Sequence, residues 1–421
     1  MVRPASLAAL ALVFSCVAIQ AHAQDDLRDK LVLQNGRVLT GRVVQPFATE
    51  ELVVLQGGKR VRVPPAEVLE RDLVGDRVRE FFARRLRHRN SPRAQRYLVD
   101  WAEENGLPGL ARTLAMLLVL EDDSDEALHQ LLGHKKTSKG WQWPLDGKFH
   151  PFDKFEAALP KQTLRVVGER FAIRCDAGLD VNLRALLDLE HLGVVWMDRF
   201  GKDLELAEVL QPIEVRTYRN VDEFPKWGFR PRPYYEPPPH DDLARTFFSG
   251  PQPTRPDDLF FVGTGGLLYR TMIGQSDRQD RRDRVCAWLE IGLAMHMQNT
   301  MQGDAGFAAP GPTRAEDLKA LQALGRSYRL THLVHLPMYA SFYLTDDTPT
   351  ATNWAAATMF VTWLLREDNQ PDTRAAFLRY VKAALAQRQG DSSSTFDKEM
   401  GRPIEQFDEP WRAWLEQRAG F

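Results

Sequence analysis

The spacing of apolar residues changes character along this chain, and each change limits what the next stretch can become. Over residues 30–70 the apolar runs are short and interrupted. Leu31-Val32-Leu33 leads into Asn35-Gly36, a pair that favours a tight hairpin turn. Val38-Leu39 and Arg42-Val43-Val44 continue past Gly41, Leu52–Leu55 ends at Gly57-Gly58, and Val61-Arg62-Val63 stops at Pro64-Pro65. Such punctuation predicts a small β-barrel-like module over 28–72. From residue 76 the spacing becomes helical: Val78, Phe81, Phe82 and Leu86, then Tyr97, Leu98 and Trp101 up to Asn105-Gly106. Leu110, Leu114, Leu117, Leu118 and Val119 continue it, and Leu128, Leu131 and Leu132 close it before Gly133.

The first module resembles SH3-like or Sm-like domains, and the helices of 76–135 resemble one or two tetratricopeptide-like units. An aromatic connector, 136–160, carries Trp141, Trp143 and Phe155. A larger domain is expected over 161–421. Leu164–Val167 and Phe171–Arg174 read as a hairpin about Gly168, Val181–Phe200 as a long amphipathic helix, and Pro212–Tyr218 as a strand. Residues 225–256 read as a Pro-rich loop and Leu259–Val262 as another strand, with helical spacing after Gly263. Strands followed by helices predict an α+β domain: a small sheet, then a mostly helical C-terminal half.

With 421 residues, 43% of them hydrophobic, the chain has material for several packed cores. A formal charge of −2 argues against a dedicated nucleic-acid binder. Residues 1–23 have the parts of a cleavable export signal: Arg3, an apolar run from Leu7 to Ile19, and Ala21-His22-Ala23 before Gln24. An exported protein, periplasmic or extracellular, is the expectation; Val13-Phe14-Ser15-Cys16 leaves a lipid-anchored form as the alternative. No later run reads as a membrane span, and Trp354–Leu365 has the length of a buried helix. Cys175 and Cys286 remain after cleavage, either joined or as two buried thiols.

Three stretches carry a further resemblance. Gly168-Glu169-Arg170-Phe171-Ala172-Ile173 precedes the long helix, Ala287-Trp288-Leu289-Glu290-Ile291-Gly292-Leu293-Ala294 forms an apolar frame, and Trp411-Arg412-Ala413-Trp414-Leu415 lies near the end. Together these resemble the gluzincin-type, peptidase MA-like domains of exported bacterial proteins. That resemblance implies a zinc held by H-E-x-x-H and by the Glu of a W-L-x-E-G-L-A helix. This sequence departs from it: no His-Glu dipeptide occurs, Gly265, Gly266 and Tyr269 occupy the H-E-x-x-H positions, and Ile291 stands at the third ligand. Glu290 is one residue early, which turns its side chain by roughly 100°. Hence no catalytic residue, metal or cofactor is assigned.

Other constellations are weaker. His332 and His335 could share a helix face but lack further ligands, and read as partly buried histidines in an apolar segment. His240-Asp241-Asp242 and Asp257-Asp258 lack the alternation of a calcium loop, and Arg281, Arg282 and Arg284 read as a solvated run. The helix at 77–89, with Arg77, Arg79, Arg84, Arg85, Arg87 and Arg89, either solvates its arginines or meets an anionic surface. Trp227, Tyr234 and Tyr235, with His296, are candidates for a groove taking a protein, peptide or glycan of the envelope. Three roles follow: a non-catalytic binding or scaffold protein, a hydrolase with rebuilt chemistry using Glu290, His296 or His332/His335, or a purely structural protein.

Overall fold

The computed structural model describes residues 29–161, 163–175, 177–225, 232–238, 241–249, 255–256, 258–272, 287–302, 328–336, 341–342, 348–366, 371–386 and 392–419. The expected signal at residues 1–23, Trp227, His240, Asp257, Arg281, Arg282, Arg284, Cys286 and the side chain of Cys175 lie outside them. The chain is mixed α+β and divides into two compact units between Gln142 and Trp143.

In the first unit, β1 (Asp29–Leu33), β2 (Val38–Val43), β3 (Leu52–Gln56), β4 (Lys59–Val63) and β5 (Val68–Asp72) form one antiparallel sheet, ordered β4-β3-β2-β1-β5. The β1–β2 turn is the Asn35-Gly36 turn: Gly36 takes φ +82°, and the Arg37 N–H donates to Asn35 Oδ1 at 3.0 Å. Leu31, Leu33, Leu39, Val43, Leu52, Val54 and Val63 make the core. Asp29, only 4% exposed, accepts N–H groups from Val43 (2.6 Å) and Val74 (2.7 Å). It thereby ties the sheet to the start of α1 (Val74–Arg87).

That helix buries Val78, Phe81 and Phe82 and pairs its arginines with neighbours: Arg77 with Asp72, Arg79 with Asp76, Arg84 with Glu80. After it come α2 (Pro92–Glu104), α3 (Pro108–Glu121) and α4 (Glu126–Leu131). Ser91 caps α2, accepting from the Ala94 N–H, and Asp125 caps α4, accepting from the Leu128 N–H. β6 (Lys135–Thr137) then pairs antiparallel with the start of β7 (Gly140–Leu145), Lys135 opposite Gln142.

The second unit opens with β8 (Lys148–Pro151) and α5 (Phe152–Ala158), where Trp143, Phe152 and Phe155 pack ring to ring. Its sheet is ordered β12-β13-β11-β10-β9. β9 (Leu164–Val167) and β10 (Phe171–Cys175) are the hairpin read from the sequence, paired antiparallel. α6 (Leu179–Leu204) crosses over to β11 (Ile213–Tyr218), parallel to β10. The span 225–256, expected as a loop, contributes β12 (Tyr234–Glu236) and β13 (Leu243–Phe247) in its described parts. β13 runs parallel to β11, and β12 is the antiparallel edge.

The expected strand at Leu259–Val262 is instead the first turn of α7 (Leu259–Thr271). A short apolar run fits a buried strand or a buried helix equally well, and periodicity does not separate them. Beyond it lie α8 (Ala287–Gln302), α9 (Leu330–Val334), α10 (Thr348–Leu364), α11 (Pro371–Ala386), α12 (Ser392–Met400) and α13 (Asp408–Ala419). Their shared core holds Trp288, Phe360, Tyr380 and Phe396. Gly292 lets α8 touch α10: a Cβ there would lie 2.4 Å from Val361 Cγ2 and 2.7 Å from the Ala357 carbonyl oxygen. Among the described residues no helix is long and apolar enough to cross a membrane.

Candidate functional site

Three glycines in thirteen residues are a poor recipe for a helix, at about 1 kcal/mol each relative to alanine. In α7 each has a steric reason. A Cβ at Gly263 would lie 2.6 Å from Leu189 Cδ2 on α6. At Gly266 it would lie 2.6 Å from Ile213 Cγ2 on β11, and at Gly265 it would lie 3.1 Å from Tyr235 Cβ on β12. The helix therefore rests closely against α6 and two strands: a side chain at 263 or 266 would force a neighbour to move, and one at 265 would be tight.

Around Gly265 the edge of the sheet carries a polar network. The Tyr235 hydroxyl donates to Asp242 Oδ1 at 2.7 Å, and Asp242 also pairs with Arg270 of α7. The Tyr269 ring lies 6.0 Å from the Tyr235 ring. Burial, and then the Asp242 carboxylate, push the pKa of both phenols above the usual tyrosine range, so both stay protonated. One strand residue away, Arg245 meets Glu236 at 3.0 Å, pairs with Asp241, and lies over the Tyr234 ring at 5.3 Å.

The sequence-read positions are thus only partly brought together. Gly265, Tyr235 and Tyr269 meet, while Gly266 faces β11. Ile291 on α8 is fully buried, and Glu290 beside it is partly exposed. His296 is buried on α8. Its Nε2 meets Arg199 Nη1 at 3.3 Å and its Nδ1 meets Thr362 Oγ1 at 3.2 Å. Burial and then Arg199 push its pKa down to about 3, so the ring is neutral, with Nε2 as acceptor and Nδ1 as donor. His332 and His335, expected partly buried, are exposed, while Leu333 and Val334 between them are buried.

The donor set does not fit zinc. Gly265 and Gly266 offer no side-chain donor, Ile291 offers none, and Tyr269 alone is a protonated phenol. Among the described residues no three His, Cys, Asp or Glu side chains gather as a metal would require.

Two polar nodes escaped the sequence reading. Glu190, fully buried on α6, accepts the N–H groups of Arg170 and Phe171, both at 2.8 Å. Burial raises its pKa to about 7, against the opposing pull of Arg170 and the backbone donors. Arg170 itself is paired with Glu208 at 2.8 Å. A glutamate among the leucines of a long helix (Leu187-Asp188-Leu189-Glu190-His191-Leu192) was the available signal. The other node is His129, His134 and Trp141 in the first unit. No protein-family model matches this chain, and no curated protein matches it.

Proposed function

We propose that this chain is an exported, non-catalytic relative of the gluzincin-type zinc metallopeptidases, acting as a binding or scaffold protein of the cell envelope. The observation that carries the reading is the seat of α7. At the two positions where the resemblance calls for an imidazole and a carboxylate, a Cβ alone would press on Tyr235 and Ile213. The retained Trp288-Leu289 and Gly292-Leu293-Ala294 frame on α8 keeps the apolar part of the motif without its donors. In this reading the five-stranded module and the helices before residue 135 supply additional surface for a protein, peptide or glycan partner.

The competing hydrolase reading draws no support from His296, whose two ring nitrogens are taken up by Arg199 and Thr362. Elemental analysis of the purified protein after dialysis, alongside a peptide-hydrolysis assay, tests the proposal. Trace zinc and no cleavage are expected. Stoichiometric zinc that survives dialysis overturns the reading.

A further inference from the structure

α4 ends in a cap that brings two particular side chains together. Leu132 is its last half-helical residue and Gly133 follows with φ +73°. The His134 N–H donates to the His129 carbonyl at 2.9 Å, and the Gly133 N–H donates to the Gln130 carbonyl at 3.0 Å. This is the pattern of a Schellman cap, in which the residue three from the helix end meets the second residue beyond it. An apolar pair commonly fills those two places. Here both are histidines, with Nδ1 facing Nδ1 at 2.8 Å.

The protons on this pair can be assigned. His129 Nε2 lies 3.0 Å from the Asp123 carbonyl oxygen, which only accepts, so Nε2 carries the hydrogen. Neutral His129 then offers its Nδ1 lone pair, and His134 Nδ1–H donates to it. A proton added to His129 has only Nδ1 to go to. While His134 is neutral its other tautomer can still accept that N–H; once both rings are protonated, two N–H groups point at each other across 2.8 Å and the contact must open.

What the contact holds is the β6–β7 hairpin. His129 is 1% exposed, and the Trp141 ring of β7 stacks on it at 4.1 Å and 5°. Lys136 of β6 sits 5.3 Å from that same indole. The charges around His129 are Asp123, Asp125 and Lys136; Asp125 is already paired with Arg96 at 2.8 Å. Burial outweighs the two carboxylates and lowers the His129 pKa, and burial together with His129 lowers that of His134 to about 4.

We propose that the His129–His134 pair is an acid-sensitive latch that fastens the Trp141 hairpin to the end of α4 near neutral pH and releases it in acid. Both groups are depressed below their ordinary values, so the fastening is complete above about pH 6.5 and is lost as the pH falls from there.

Segment-resolved hydrogen exchange of the full chain over residues 126–142 tests this, after correction for intrinsic exchange. Protection is expected to fall by about 10-fold or more between pH 7 and pH 5. H134Q keeps an N–H donor for His129 Nδ1 but loses one titrating ring, so it should be protected at pH 7 and show a shallower acid response. H88Q, at an exposed histidine after α1, should match the wild type. A wild-type profile flat from pH 7 to pH 5 overturns the proposal, as does a wild-type acid response in H134Q.

Discussion

Glu190 in the second unit and His129 in the first are both helix side chains buried against the backbone of a turn, yet Glu190 and the His129–His134 pair answer acid in opposite directions. Glu190 receives two N–H donors, and burial makes it hold a proton up to about pH 7. His129 is buried and His134 half-buried, and that burial makes them refuse one. The common cause is that a low-dielectric interior disfavours whichever form is charged. For an acid that form appears as pH rises, and for a base as pH falls. One chain thus carries a turn that tightens in mild acid and a cap that loosens there.

The comparison breaks most sharply if Glu190 can be removed cheaply. E190A strands the Arg170 and Phe171 N–H groups and leaves a cavity, and should cost about 3 kcal/mol or more in urea unfolding. E190Q keeps an acceptor and should cost less. It should also remove the part of the stability that is full below about pH 4.5 and fades as pH rises toward about 7. Gly168→Ala probes the same node from the other side: its Cβ would lie 2.3 Å from Glu190 Oε1, forcing the carboxyl off its donors, and about 1–2 kcal/mol should be lost in the same assay. At the bottom of the scale is R79A. The Arg79–Asp76 pair on α1 is exposed, and the change in stability should stay within about 0.5 kcal/mol at any pH from 5 to 8.

Much of the fold is written locally. Asn35-Gly36 marks the β1–β2 turn because its geometry needs a positive φ, and the leucines of 181–200 mark α6 because they recur at helical spacing. Other elements are settled by partners far along the chain. β12 is three residues long and pairs with the antiparallel edge of β13; Pro233 and Pro237 on either side interrupt the strand signal of its tyrosines. α7 has a first turn that reads as a strand and a middle with three glycines, poor helix formers. Only Leu189, Ile213 and Tyr235, from three other elements, explain why glycine is tolerated there. The candidate site was legible as residue types: glycine, tyrosine and isoleucine at 265, 266, 269 and 291 stand in the sequence itself. Its geometry was not. His296 went to Arg199 and Thr362, and the histidine pair that does meet is assembled by a helix cap.

The close seat of α7 also constrains the routes by which such a protein can change. Suppose a descendant were to gain a metal. A first imidazole at position 265 would need Tyr235 to give by a few tenths of an ångström before a second donor existed to reward it, and a carboxylate at 266 would displace Ile213 outright. Trimming the sheet side first would leave a void under the helix, itself unfavourable. Both orders pass through a less stable intermediate. The close seat of these glycines therefore makes added side chains at 265 and 266 a cost borne before any gain.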